Sequence, residues 1–89
     1  MPNEIIGKHN AGFDIIEAAY TYPNRGYCLG KSETQFVTWA FWVDERNEVS
    51  FHFGNYFPGT DDYTRACAYE DFYDRMRDFF HGQAVYLRG

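Results

Sequence analysis

Thr34-Gln-Phe-Val-Thr-Trp-Ala-Phe-Trp-Val43 decides the fold. Almost every residue in it is β-branched or aromatic, and it holds no charge, glycine or proline, so it reads as the central strand of a sheet. A period of two places Gln35, Val37, Trp39, Phe41 and Val43 on one face and Thr34, Phe36, Thr38, Ala40 and Trp42 on the other. The first is a core face. The second is mixed, and Phe36 and Trp42 are out of place on the open side of a one-layer sheet.

After this strand, Asp44-Glu45-Arg46-Asn47-Glu48 is a polar turn, and Val49–Phe53 alternates Val49, Phe51 and Phe53 with Ser50 and His52. The two strands are expected to form a hairpin, with Val49, Phe51 and Phe53 joining Val37, Trp39 and Phe41. Gly54 to Gly59, with Pro58, should end the sheet. Before the central strand, Phe13–Tyr20 reads as a first strand with Glu17 marking a wet side or an edge. Tyr22-Pro23-Asn24-Arg25-Gly26 is a turn signal, and Tyr27–Gly30 a short second strand. Residues 1–11 are polar around Ile5 and Ile6, a loose end with at most a short pairing segment.

From Thr60 the period changes to that of a helix. Thr60 is expected as N-cap, with Asp61 and Asp62 against the positive end of the helix dipole and Gly82 just past the C-terminus. Arg65, Ala66, Tyr69, Phe72, Tyr73, Met76, Phe79 and Phe80 would form the buried stripe. The tail Ala84–Leu87 would add a short strand or pack under the helix. The expected fold is α+β, a four-stranded antiparallel meander with one C-terminal helix on one face, ββββα. It is one domain over 1–89, with the sheet at 13–57 and the helix at 60–81.

Thirteen acidic residues against eight basic ones give a net charge of −5, which argues against direct binding to nucleic acid and suits a basic protein partner. Cys28 and Cys67 have no CxxC spacing, so neither a zinc site nor a redox motif is indicated, and a disulfide is not expected. No signal peptide or membrane span is read from the chain, which is expected in the cytoplasm. His9, His52 and His81 are scattered and no catalytic motif is present; a Cys28–His52 thiol and base pair can be drawn but nothing supports it. No catalytic residue, metal or cofactor is expected, and no enzymatic activity.

Two surfaces could meet a partner. If the helix covers the core face, Phe36, Ala40 and Trp42 lie open beside Tyr20, Cys28, His52 and Tyr56. That face is then an interaction surface unless the N-terminal segment or the tail folds over it. Trp42 is the best single anchor, with Phe36 and Tyr56 beside it. The second surface is acidic: Asp61, Asp62, Glu70, Asp71, Asp74 and Asp78 on the helix, with Asp44, Glu45 and Glu48 on the hairpin. Either this is only a solvated face, or spaced carboxylates imitate nucleic-acid phosphates and occupy the basic groove of a nucleic-acid-binding protein. Asp71 and Arg75 form a favourable i,i+4 pair.

The strings Gly26-Tyr27-Cys28-Leu29-Gly30, Phe36-Val37-Thr38-Trp39, Phe53-Gly54-Asn55-Tyr56-Phe57 and Asp71-Phe72-Tyr73-Asp74-Arg75 together resemble small proteins carried by phages and conjugative elements of Gram-positive bacteria. The resemblance spans about residues 13 to 80 and carries over no catalytic residue. It implies an anti-defence factor, such as an anti-CRISPR inhibitor that blocks a nuclease by binding its nucleic-acid groove. The alternative is a structural homo-oligomer, a homodimer at its simplest, pairing through the aromatic sheet face.

Overall fold

The computed structural model describes residues 4–88, with side chains described from 4 to 77. Among these, β1 (His9–Asn10), β2 (Phe13–Tyr22), β3 (Arg25–Lys31), β4 (Gln35–Val43) and β5 (Val49–Pro58) precede one helix, α1 (Asp62–Arg88). The strands lie side by side in chain order, every neighbouring pair antiparallel. The α+β meander with a C-terminal helix is therefore present, but with five strands rather than four. The extra strand, β1, pairs Asn10 with Phe13 across Ala11 and Gly12. Both turn residues have positive φ, 52° and 86°, the mirror-image turn whose twist matches a hairpin.

The other turns are built by side chains. Ser32 Oγ accepts from the backbone N–H groups of Thr34 and Gln35 between β3 and β4. Asp44 Oδ1 accepts from those of Arg46 and Glu48, each at 2.9 Å, between β4 and β5. β5 runs on to Pro58, beyond the expected end, because a proline at the last position of an edge strand removes no needed donor.

The helix lies on the face opposite to the expected one. Ala68 and Phe72 of α1 pack on Leu29 and Phe36, with Ile16, Tyr27, Phe57 and Met76 around them. Ala68 is fully buried and Ala66 exposed, so the inward stripe follows Ala68, Phe72 and Met76. Its expected members Phe79 and Phe80 lie outside the described side chains. Asp61, not Thr60, is the N-cap: its Oδ1 accepts the Thr64 N–H at 2.8 Å. Hydrogen bonds from Thr64 hold the Asp61 carboxyl below its usual pKa, so its contribution is present above about pH 4 and lost as the pH falls through the lowered value. Gly82 does not end α1, since a mid-helix glycine costs only about 1 kcal/mol relative to alanine. The tail Ala84–Leu87 continues the helix.

The Val37, Trp39 and Phe41 face has no helix over it, yet these residues are almost completely buried. The sheet curls on itself. Rings of Phe13 on β2 and Tyr56 on β5 have centroids 6.0 Å apart, although two strands lie between them and a flat sheet would separate them by about 14 Å. Trp39 is the centre of this concave core, edge-on to Phe13 at 5.5 Å and tilted against Phe51 at 5.3 Å, while Tyr20 meets Phe41 edge-on at 5.1 Å. Ile5 fills one end at 2% exposure.

Irregularities at Ile15/Glu17, Tyr20/Tyr22 and Thr38/Ala40 supply the curvature. At the last, Phe53 and Gly54 together oppose Trp39, since Thr38 pairs with Asn55 and Ala40 with His52. A side chain at Gly54 would meet the Trp39 indole nitrogen at 2.8 Å. The bulge also turns Phe53 out: expected in the core, it is 73% exposed with φ 55°.

Gly26 tests the closeness of β2 and β3. A Cβ there would lie 1.9 Å from the Ala19 carbonyl oxygen, a backbone atom that cannot step aside. Gly26→Ala is expected to destabilise the fold by about 3 kcal/mol or more, read as the shift in urea unfolding midpoint.

Candidate functional site

Thr38 is a buried polar side chain in the middle of an apolar strand, fully enclosed beneath α1. Its hydroxyl donates to Asp71 Oδ2 at 2.5 Å. The same oxygen accepts from Asn55 Nδ2 at 3.0 Å and lies 3.4 Å from Arg75 Nε. Arg75 in turn donates through Nη2 to the Phe53 carbonyl at 2.5 Å. One carboxylate thus joins β4, β5 and the helix, and Arg75 fixes the bulge. The Asp71–Arg75 pair is present as expected, but Asp71 is not an outward-facing acid: it turns inward to satisfy a hydroxyl that has no water.

The remaining acids divide. Asp74 pairs with Arg77 at 2.8 Å, Asp61 caps the helix and Asp44 closes its hairpin. Asp62 and Glu70 on α1, and Glu45 and Glu48 on the hairpin, are exposed with no ion pair among the described residues. Asp78 lies outside the described side chains.

The aromatic candidates fall on different faces. Phe36 is fully buried under α1 and is not available to a partner, because the helix chose that side. Trp42 is 40% exposed on the same face beyond it, packed on His52 with centroids 4.0 Å apart and planes tilted by 36°, and edge-on to Phe53 at 6.3 Å. Tyr56 is 54% exposed on the other side of the sheet, at the rim of the concave core. Tyr20 and Cys28 also belong to that concave face, so the open aromatic face expected around Phe36 is not assembled. Phe53 is the exposed ring that strand alternation missed. The glycine following it, inside an aromatic strand, was the available sign of a bulge.

Reactive groups stand apart. His9 Nδ1 lies 2.8 Å from Asp14 Oδ1 at the surface, and His52 Nε2 lies 2.8 Å from Ser50 Oγ. His81 lies outside the described side chains. Cys28 and Cys67 are free thiols. Cys28 and His52 point to opposite faces of the sheet and make no pair. Burial pushes the Cys28 thiol up to about 12, against smaller lowering contributions from the Trp39 backbone and Arg75. Tyr69 hydrogen-bonds Glu17 at 3.1 Å, and burial first, then that carboxylate, raises its pKa. Among the described residues, no cluster of three or more His, Cys, Asp or Glu could hold a metal ion, and no helix is long and apolar enough to cross a membrane. No protein-family model, curated protein or solved structure matches the chain.

Two measurements probe these environments. In a double-mutant cycle, Asp71→Ala is expected to cost about 2–3 kcal/mol because it strands Thr38 and Arg75. Combined with Thr38→Val it should cost at least about 1 kcal/mol less than the sum of the two, whereas additivity would mean that the bond carries no coupling. Thiol labelling at pH 8 should modify Cys67 and leave Cys28 unreacted until denaturant is added, since with a pKa of about 12 only about one Cys28 in ten thousand is thiolate at that pH.

Proposed function

We propose that this chain is a non-enzymatic protein-binding inhibitor, an anti-defence factor of the anti-CRISPR kind, which engages the basic nucleic-acid groove of a bacterial nuclease. The observation that carries this reading is the set of exposed carboxylates without cationic partners: Asp62 and Glu70 on the helix, Glu45 and Glu48 on the hairpin. In a chain of net charge −5, such groups attract a basic surface and steer its approach. Trp42, partly exposed and held by His52, supplies a rigid aromatic anchor. The choice of a nuclease as target rests on the sequence resemblance. Phe36 and Asp71 leave the interface set, and Phe53 joins it.

The test is a pull-down with tagged protein from lysates of Gram-positive bacteria carrying CRISPR nucleases, washed at low and then high salt. Retention of a nuclease at low salt and its release at high salt is the expected result. Glu45→Lys, Glu48→Lys, Asp62→Lys and Glu70→Lys together should slow association with that nuclease by about tenfold or more, and Trp42→Ala should speed dissociation. A salt-resistant oligomer of the chain itself, with no nuclease, would mean that the molecule pairs with its own copies and would overturn the proposal.

A further inference from the structure

Beyond Arg75, on the helix-bearing face, a groove of about 420 Å³ opens between the β2–β3 turn and the β5 bulge. Tyr22, Arg25, Tyr27, Trp42, Phe53 and Arg75 line it. Its volume falls in the range of small-molecule sites. We propose that it binds a small aromatic anion with the chemistry of a purine mononucleotide.

Three observations converge on this. The first is charge. In an acidic molecule, this groove gathers two guanidinium groups. Arg75 is anchored by Asp71 and the Phe53 carbonyl, while Arg25 is exposed, lies 4.3 Å over the Tyr22 ring and has no carboxylate partner among the described residues. A guanidinium laid on an aromatic ring keeps its N–H edge free for an anion.

The second is the wall. Trp42 and Phe53 present exposed ring surface, 40% and 73%, beside Tyr22 and Tyr27. Stacking on such rings is the general means by which proteins hold a nucleobase. The third is strain. Phe53 has φ 55°, a left-handed conformation that a bulky residue adopts at a cost, and its carbonyl is clamped by Arg75. In unbroken register the ring would lie with Phe51 in the concave core. The bulge removes it from the core and sets it at the rim of the groove, and local strain held in place by a second interaction is characteristic of binding sites.

The same charge balance limits the ligand's size. A net charge of −5 repels every phosphate of a long polyanion, whereas a mononucleotide brings a single phosphate group, which Arg25 can meet directly. A mononucleotide is therefore favoured over a strand.

Tryptophan fluorescence gives a direct reading, because Trp39 is 4% exposed and Trp42 40%, so a ligand in the groove quenches Trp42. The expected result is saturable quenching by AMP or GMP with a Kd below about 1 mM, and binding at least about tenfold weaker for adenosine, which lacks the anion, and for inorganic phosphate, which lacks the ring. Arg25→Gln, at an exposed position, should bring AMP affinity down to that of adenosine with circular dichroism unchanged. Trp42→Phe should abolish the quench, with residual binding read by calorimetry. The proposal is overturned if about 10 mM nucleotide produces no saturable change, if Arg25→Gln leaves AMP affinity intact, or if a short single-stranded oligonucleotide binds more tightly than AMP.

Discussion

One oxygen, Asp71 Oδ2, holds the two layers together. It receives the Thr38 hydroxyl from β4, the Asn55 amide from β5 and the Arg75 guanidinium from its own helix. Apolar contact between Ala68, Phe72, Leu29 and Phe36 supplies most of the attraction between helix and sheet, but such contact is non-directional and would tolerate sliding. The polar knot fixes the helix in rotation and translation, because a shift of one turn would leave Thr38 buried without an acceptor. Through Arg75 the same knot reaches the Phe53 carbonyl, so helix placement, the β5 bulge and the exposure of Phe53 are settled together.

The second constraint is the curl. A sheet of five strands with a helix on one side would normally leave its other side to water, and this one closes that side with its own rings. Trp39 is the centre: the bulge passes over it, and the absence of a side chain at Gly54 lets its indole approach β5 closely. Part of the aromatic fraction of 21% is thereby accounted for, since Phe13, Tyr20, Trp39, Phe41 and Tyr56 meet across strands that are not neighbours and do the work of a second covering layer.

Much of this fold was legible in the chain. The central strand ran to within one residue of its observed start, and the turns at Pro23-Asn24 and at Asp44–Glu48 carry residues whose side chains or fixed φ make turns. Which face the helix covers was not legible. Both faces of Thr34–Val43 contain large apolar residues, and a period of two separates faces without saying what lies over them. Thr38 was the available clue: a hydroxyl amid apolar neighbours needs an acceptor, and the helix carries aspartates. The acidic site was half legible, because charge is visible in sequence whereas the inward turn of Asp71 depends on that unseen choice of face. β1 was read only as a short pairing segment of a loose end and left out of the strand count, because Ala11-Gly12 is an uncommon mirror-image turn compared with Asn-Gly.

The pairing of Thr38 with Asp71 spans 33 positions, and the ring of Tyr56 that meets Phe13 is made 43 residues after it. As the chain emerges from a ribosome, β1 to β4 can pair in order, each with the strand just made, by contacts that are local and fast to form. What they form is a ribbon in which Phe13 alone packs its ring on Trp39 on one side and Thr38 is unsatisfied on the other. The two defects are cured in turn, Trp39 by β5 and Thr38 by Asp71 of α1, so a nascent molecule halted between Pro58 and Asp71 hides its concave face and still exposes the one that the helix will cover. A chain paused in that interval is a chaperone client through its helix-facing side alone, and completion of α1 removes that last exposed surface.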